Sequence, residues 1–171
     1  HTDRPVAATT ARTAEAASAG FRWQDLGATG AGVGVAVIDS GVTGWHDDLT
    51  PRTAANAAQR VVHFADFVNF LPLAYDDYGH GTHVAGIIAG NGYDSGGARA
   101  GVAPDASIIA LKVLDAAGHG YISNVIAAID YAVATRRQFN IRVINLSIGA
   151  EVEQSYDRDP LAQAARRAVD A

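Results

Sequence analysis

His80 and His83 stand three positions apart in the stretch YDDYGHGTHVAGIIAG (residues 75–90), with Asp76 and Asp77 just upstream. Three chemistries fit this grouping. Two imidazoles at i and i+3 share one helical face, and with further ligands they would chelate a metal. One of them would serve as a proton-transfer base if a carboxylate held it in place. Or the two are packed framework. The spacing departs from the i, i+4 pairing of H-E-x-x-H zinc sites, and by itself it leaves all three readings open. A further carboxylate, Asp39, ends the apolar run in AGVGVAVIDSGV (31–42), 41 residues before His80. A carboxylate at the carboxyl end of a buried strand is half-desolvated and needs a partner, and that edge of an open α/β sheet is where sites are built. Taken alone, Asp39 also reads as a cap on the turn through Ser40 and Gly41.

The elements that would position these residues follow from the apolar pattern. Val33–Ile38 (VGVAVI), bounded by glycines, reads as a strand buried on both faces. Val61–Phe67 is a second strand, residues 80–89 a helix, Ser107–Val113 (SIIALKV) a strand, and Ile141–Ile148 (IRVINLSI) another. Ser123 offers an N-cap to a helix whose apolar face carries Val125, Ile126, Ile129 and Val133. Asp159 before Pro160 starts a last helix, with Leu161, Ala164, Ala165 and Ala168 inward. Strand–helix alternation predicts a three-layer α/β domain, a mostly parallel sheet with helices on both faces. Residues 1–20, Ala/Thr-rich and without clear periodicity, read as a linker or weak terminal helix, and residues 21–171 as the domain part. Gly32 and Gly34 precede the strand instead of following it, which does not suit a dinucleotide-binding turn.

The 171 residues, 49% of them apolar, allow a single core, and the net charge of -5 points away from nucleic acid. No apolar run reaches the roughly 18 residues of a membrane span. There is no cysteine, so neither disulfides nor thiolate metal sites are available. The chain starts at His1 and has no Met, which reads as a piece of a longer precursor.

Asp39-Ser40-Gly41, then His80-Gly81-Thr82-His83-Val84-Ala85-Gly86, then Gly101-Val102-Ala103-Pro104, then Val143 to Gly149, in this order, resemble the subtilisin-like serine proteases (subtilases) from about Thr29 to Gly149. The resemblance implies the N-terminal part of a subtilisin-like catalytic domain, incomplete C-terminally, from a secreted, extracellular serine endopeptidase. It maps Asp39 to the triad aspartate, His80 to the triad histidine and His83 to a structural histidine. It implies an extended polypeptide substrate lying between Gly118-His119-Gly120 and Ser147-Ile148-Gly149, with Tyr78 at the P2 pocket and His119 and Ile122 near the P4 pocket. Lys112 and Asn145 fall at framework positions, and for Lys112 the reading of the residues alone is a solvated strand-end lysine.

Two departures accompany the resemblance. None of the seven serines lies in a Gly-Thr-Ser block, so the chain is expected to supply Asp39 and His80 but not the nucleophile, and to be inactive by itself. Its sheet edge is expected to need a complement, either the C-terminal half of the same domain or another chain. Asp48 in WHDDL matches a structural-calcium position of some subtilases, but the loop NGYDSGGARA (91–100) lacks the matching pattern, so no metal or other cofactor is expected and Asp48 reads as a solvated loop acid. The alternatives are a non-catalytic binding or assembly module on the same scaffold, and a metal-dependent hydrolase using His80, His83 and an acid.

Overall fold

Strand β2 (Gly34–Asp39) is buried at all six positions, which is what a continuous apolar run with helices on both sides produces. It sits inside a four-stranded parallel sheet, seen in a computed structural model that describes residues 3–8, 26–51, 59–151 and 153–171. The sheet order is β3 (Val61–Asp66), β4 (Ser107–Lys112), β2, β6 (Ile141–Leu146). Side chains alternate across the strands, and this splits the core in two. Val35 and Val37 of β2 with Ile108 and Ala110 of β4 pack against Val84, Ala85 and Ala89 of helix α1 (His80–Ala89). Ala36 and Ile38 with Ile109 and Leu111 face the other way, against Val125, Ala128, Ile129 and Ala132 of helix α2 (Ile122–Thr135). Each fully buried aliphatic side chain in these layers contributes about 1.5–3 kcal/mol. The architecture is the predicted three-layer α/β arrangement.

Helix α3 (Pro160–Val169) packs on α2 through Ala164, Leu161 and Ala168. Its predicted cap is in place, since Asp159 Oδ1 accepts from the N–H groups of Leu161 and Ala162 at 2.9 and 3.0 Å. The predicted cap of α2 is not. Tyr121 occupies the N-cap position and Ser123 lies inside the first turn. Asp3 caps from outside, accepting from Ser123 N–H at 3.0 Å and from its hydroxyl.

Within the stretch expected to be a linker or weak helix, residues 5–8 form a strand. This β1 (Pro5–Ala8) lies antiparallel between β5 (His119–Tyr121) and β7 (Ile148–Gly149) in a second, three-stranded sheet. The Ala/Thr composition carries no strand signal. The strand forms because two unpaired backbone edges accept it, and because Val6, 2% exposed, joins the core that includes Leu114, Ile122 and Val125. In the parallel sheet β6 is an edge strand, with Val143 and Leu146 exposed. Among the described residues no helix is long and apolar enough to cross a membrane.

Candidate functional site

Strand β2 ends on Asp39, and the loop that follows brings Ser40 and Gly41 under the start of α1. The Asp39 side chain is fully buried. Its Oδ1 accepts from Ser40 N–H at 2.7 Å and from His80 Nδ1 at 2.8 Å, and Oδ2 stands 3.0 Å from the same nitrogen. Burial pushes the Asp39 carboxyl above its ordinary value, and the hydrogen bonds from His80 and Ser40 N–H pull against that rise without cancelling it. The contact fixes the ring: with Nδ1–H donating to the carboxylate, the neutral imidazole carries its lone pair on Nε2.

His80 is the first residue of α1, so its direction depends on how that helix begins. The N-cap is Gly79, with φ 92° and no side chain to cap the turn. Asp76 caps it from four positions before His80. Its Oδ1 accepts from Gly79 N–H at 2.8 Å, and its Oδ2 accepts from Thr82 N–H at 2.8 Å and from the Thr82 hydroxyl at 2.6 Å. The Ser40 hydroxyl donates to Asp76 at 2.8 Å while accepting from Gly81 N–H at 2.9 Å. One carboxylate thereby ties the end of β2 to the start of α1. Desolvation raises the Asp76 pKa, but the hydrogen bonds from Thr82, Gly79 and Ser40 outweigh it and hold the carboxyl below its ordinary value. Gly81 closes the junction: a Cβ there would lie 2.0 Å from Gly41 O and 3.2 Å from the Asp39 Cβ.

Lys112 corrects the reading of a solvated lysine. It is fully buried opposite Asp39 in the β2–β4 register. Its Nζ donates to Ser40 O and Leu114 O, each at 2.7 Å, and to Asp77 at 2.6 Å, and it stands 4.8 Å over the Tyr75 ring. Parallel pairing sets the carboxyl ends of β2 and β4 side by side, so the ammonium meets three oxygens there in place of water. Asp48 also differs from its expectation. It is half-buried, and its Oδ1 accepts from Gly92 N–H at 2.6 Å and Tyr93 N–H at 3.2 Å. A cation at this oxygen would face N–H donors, so Oδ1 as it stands does not fit a calcium ligand.

The segments read as two sides of a peptide groove are β5 with Gly118 before it, and β7 with Ser147 before it, and β1 pairs with both. Val6 stands opposite Gly120, Ala7 opposite His119 and Gly149, and Ala8 opposite Ile148. Ala8 N–H donates to Gly118 O at 3.1 Å. Gly118 has φ 74°, and a Cβ on it would come within 2.5 Å of the Tyr78 ring, so the ring packs directly over Gly118. Tyr78 is half-exposed, and its ring centroid lies 6.5 Å from that of His80. The Ser147 hydroxyl accepts from Asn145 Nδ2 at 2.9 Å. His119 is exposed and Ile122 buried.

The structure thus brings Asp39, His80 and Tyr78 to one end of the sheet and sets Gly118–Gly120 and Ser147–Gly149 along a common strand. His83, the other half of the opening pair, is exposed on α1. Among the described residues no three His, Asp or Glu side chains converge in a way that would hold a metal ion. Sequence reasoning missed Asp76 as the cap of α1, whose signal was an acid shortly before a helix that begins on Gly-His. It also missed Asp3 and Arg4, for which no local signal exists.

The match to a profile described as the subtilase family (peptidase S8) covers residues 30–171. Serine protease AprX of Bacillus subtilis (strain 168) is 37% identical over 150 residues, 82% of this chain and 31% of that protein. Subtilisin E of the same strain is 41% identical over 127 residues, 72% of this chain and 28% of that one. The minor extracellular protease Epr, also from that strain, is 35% identical over 145 residues, 84% of this chain and 20% of its own length. A crystal structure of a cold-adapted subtilisin-like serine proteinase superposes with a TM-score of 0.63 at 33% identity, covering 83% of this chain and 44% of that one. The chain therefore spans about a fifth to a third of the curated relatives named here.

Proposed function

The chain belongs to the subtilase family, and from that premise we propose that it supplies Asp39 and His80 to the Asp-His-Ser triad of a serine endopeptidase. The observation that carries this reading is the approach of His80 Nδ1 to both oxygens of a fully buried Asp39, at 2.8 and 3.0 Å. In the proposed reaction, Nε2 of His80 takes the proton of a serine hydroxyl as its oxygen attacks the scissile carbonyl. The same nitrogen then returns the proton to the leaving amine. Asp39 holds the tautomer and meets the charge of the imidazolium. The reaction as proposed uses no cofactor.

The nucleophile comes from the C-terminal part of the same domain or from another chain that completes the sheet beside β6. Four of the serines among the described residues have hydroxyls engaged elsewhere: Ser40 with Asp76 and Gly81, Ser123 with Asp3, Ser147 with Asn145 and Ser95 with Gly92 O. The substrate is an extended polypeptide paired with Gly118–Gly120 and Ser147–Gly149, with Tyr78 at its side, since backbone pairing on two edges gives affinity without demanding a sequence. An extracellular setting fits one relative, the minor extracellular protease Epr.

Casein or chromogenic-peptide hydrolysis by the complete protein tests this. His80→Ala should lower kcat by about six orders of magnitude, and undiminished turnover would sink the proposal. A fluorophosphonate probe that fails to label the complete protein would instead favour a peptide-binding module on the same scaffold.

A further inference from the structure

The strand in the groove carries more than backbone. Arg4 precedes β1 and is 9% exposed, on the same side of the strand as Val6, while Pro5 between them faces out. Arg4 O accepts from Ile122 N–H at 2.8 Å, so the backbone register continues to this residue. The guanidinium is held on three sides. Nη1 donates to Glu151 O at 2.9 Å, Nη2 donates to Asp159 Oδ2, and Nε lies 3.9 Å from Glu153 Oε2. The other Asp159 oxygen is committed to the N–H groups that open α3, which leaves the carboxylate no rotation to lose when the arginine binds. Buried guanidinium groups persist only where such acceptors are matched to them.

We propose that Asp159, Glu153 and the carbonyl of Glu151 form an arginine subsite of the peptide groove. It lies two residues N-terminal to the position that Val6 fills, so the groove selects extended polypeptides of the pattern Arg-x-apolar. The inference rests on the groove reading above, with residues 3–8 as its intramolecular ligand. The specificity follows from geometry. A planar fork satisfies a carboxylate and a carbonyl together, whereas a lysine ammonium presents one point charge.

Two measurements test it. In the chain carrying Val6→Asp, which sets a carboxylate against the apolar core and displaces its own strand, a labelled Asp-Arg-Pro-Val-Ala-Ala peptide is titrated against Asp-Ala-Pro-Val-Ala-Ala by fluorescence anisotropy. The arginine peptide should bind about tenfold or more tightly. Adding Asp159→Asn, which keeps an oxygen for the helix cap but removes the charge, should bring the two peptides within about twofold of each other. Equal binding with Asp159 intact overturns the subsite and leaves the groove standing. Absence of binding by either peptide overturns both. In the otherwise native chain, where folding is not at risk, Arg4→Ala and Asp159→Asn should each speed exchange of the Ile122 amide about tenfold, and the double variant no more than either alone. Unchanged protection in Arg4→Ala would overturn the proposal independently.

Discussion

Asp76→Ala should destabilise the chain through the start of α1. The substitution removes the acceptor shared by Gly79 N–H, Thr82 N–H and the hydroxyls of Thr82 and Ser40. Loss of a helix N-cap acceptor costs about 1 kcal/mol. Each hydroxyl left without its charged acceptor in half-buried surroundings adds about 0.5–1 kcal/mol. The Gly79 amide is exposed and recovers water, so the total stays near 2–3 kcal/mol, a large part of the roughly 5–15 kcal/mol that holds a domain of this size. With a urea slope of about 2 kcal/mol/M, the unfolding midpoint at pH 7 should fall by about 1–1.5 M. The pH dependence is a second check. Asp76 has a lowered carboxyl pKa in the folded chain, so its contribution is complete above the unfolded value of about 4 and is lost as the pH falls through the folded value. The gap between parent and variant should therefore be constant from pH 7 to about pH 5 and shrink below about pH 4. A midpoint unchanged by Asp76→Ala, or a gap that widens on acidification, would refute the reasoning.

Lys112→Met should lower stability by about 3–5 kcal/mol, because it strips Ser40 O, Leu114 O and Asp77 of their shared donor. A thermal melt that does not move would count against this role. Gly81→Ala forces a Cβ to within 2.0 Å of Gly41 O, which must push the first turn of α1 away from Asp39. In the complete protein this should lower kcat/KM about a hundredfold by misplacing His80, and parent-like kcat/KM would show that the junction has slack.

The central layer was legible because its physics is local. β2 and β4 are apolar runs of strand length, and α1 and α3 lie where small-residue and cap signals put them. The parts that escaped are those whose cause lies far off in the chain. Lys112 looks like any strand-end lysine until the parallel register sets it against Ser40 O and Asp77. Ser123 looks like a cap until Asp3 supplies one from 120 positions away. Residues 5–8 have no strand composition and become a strand only between two waiting edges. For the site, composition and spacing leave His80 and His83 as equals. Only the joint pattern with Asp39 separates them, and the fold expresses that separation as one ring against a buried carboxylate and one ring in solvent.

The attachment of β1 also sets an order of events. Its contacts close very long loops, since Asp3 meets Ser123 across 120 positions and Arg4 meets Glu151 across 147. Closing such loops costs little more equilibrium free energy than closing shorter ones, but contacts of this separation form late during folding. β1 also adds only a four-residue strand to a sheet whose other strands are anchored elsewhere. It is therefore expected to dock after the parallel core has condensed and to detach before that core melts, which earlier amide exchange at Ile122 than in β2 would show. The groove can then empty and refill by the exchange of one short segment, on the timescale of local unfolding, while Asp39 and His80 keep their places on the elements that formed first.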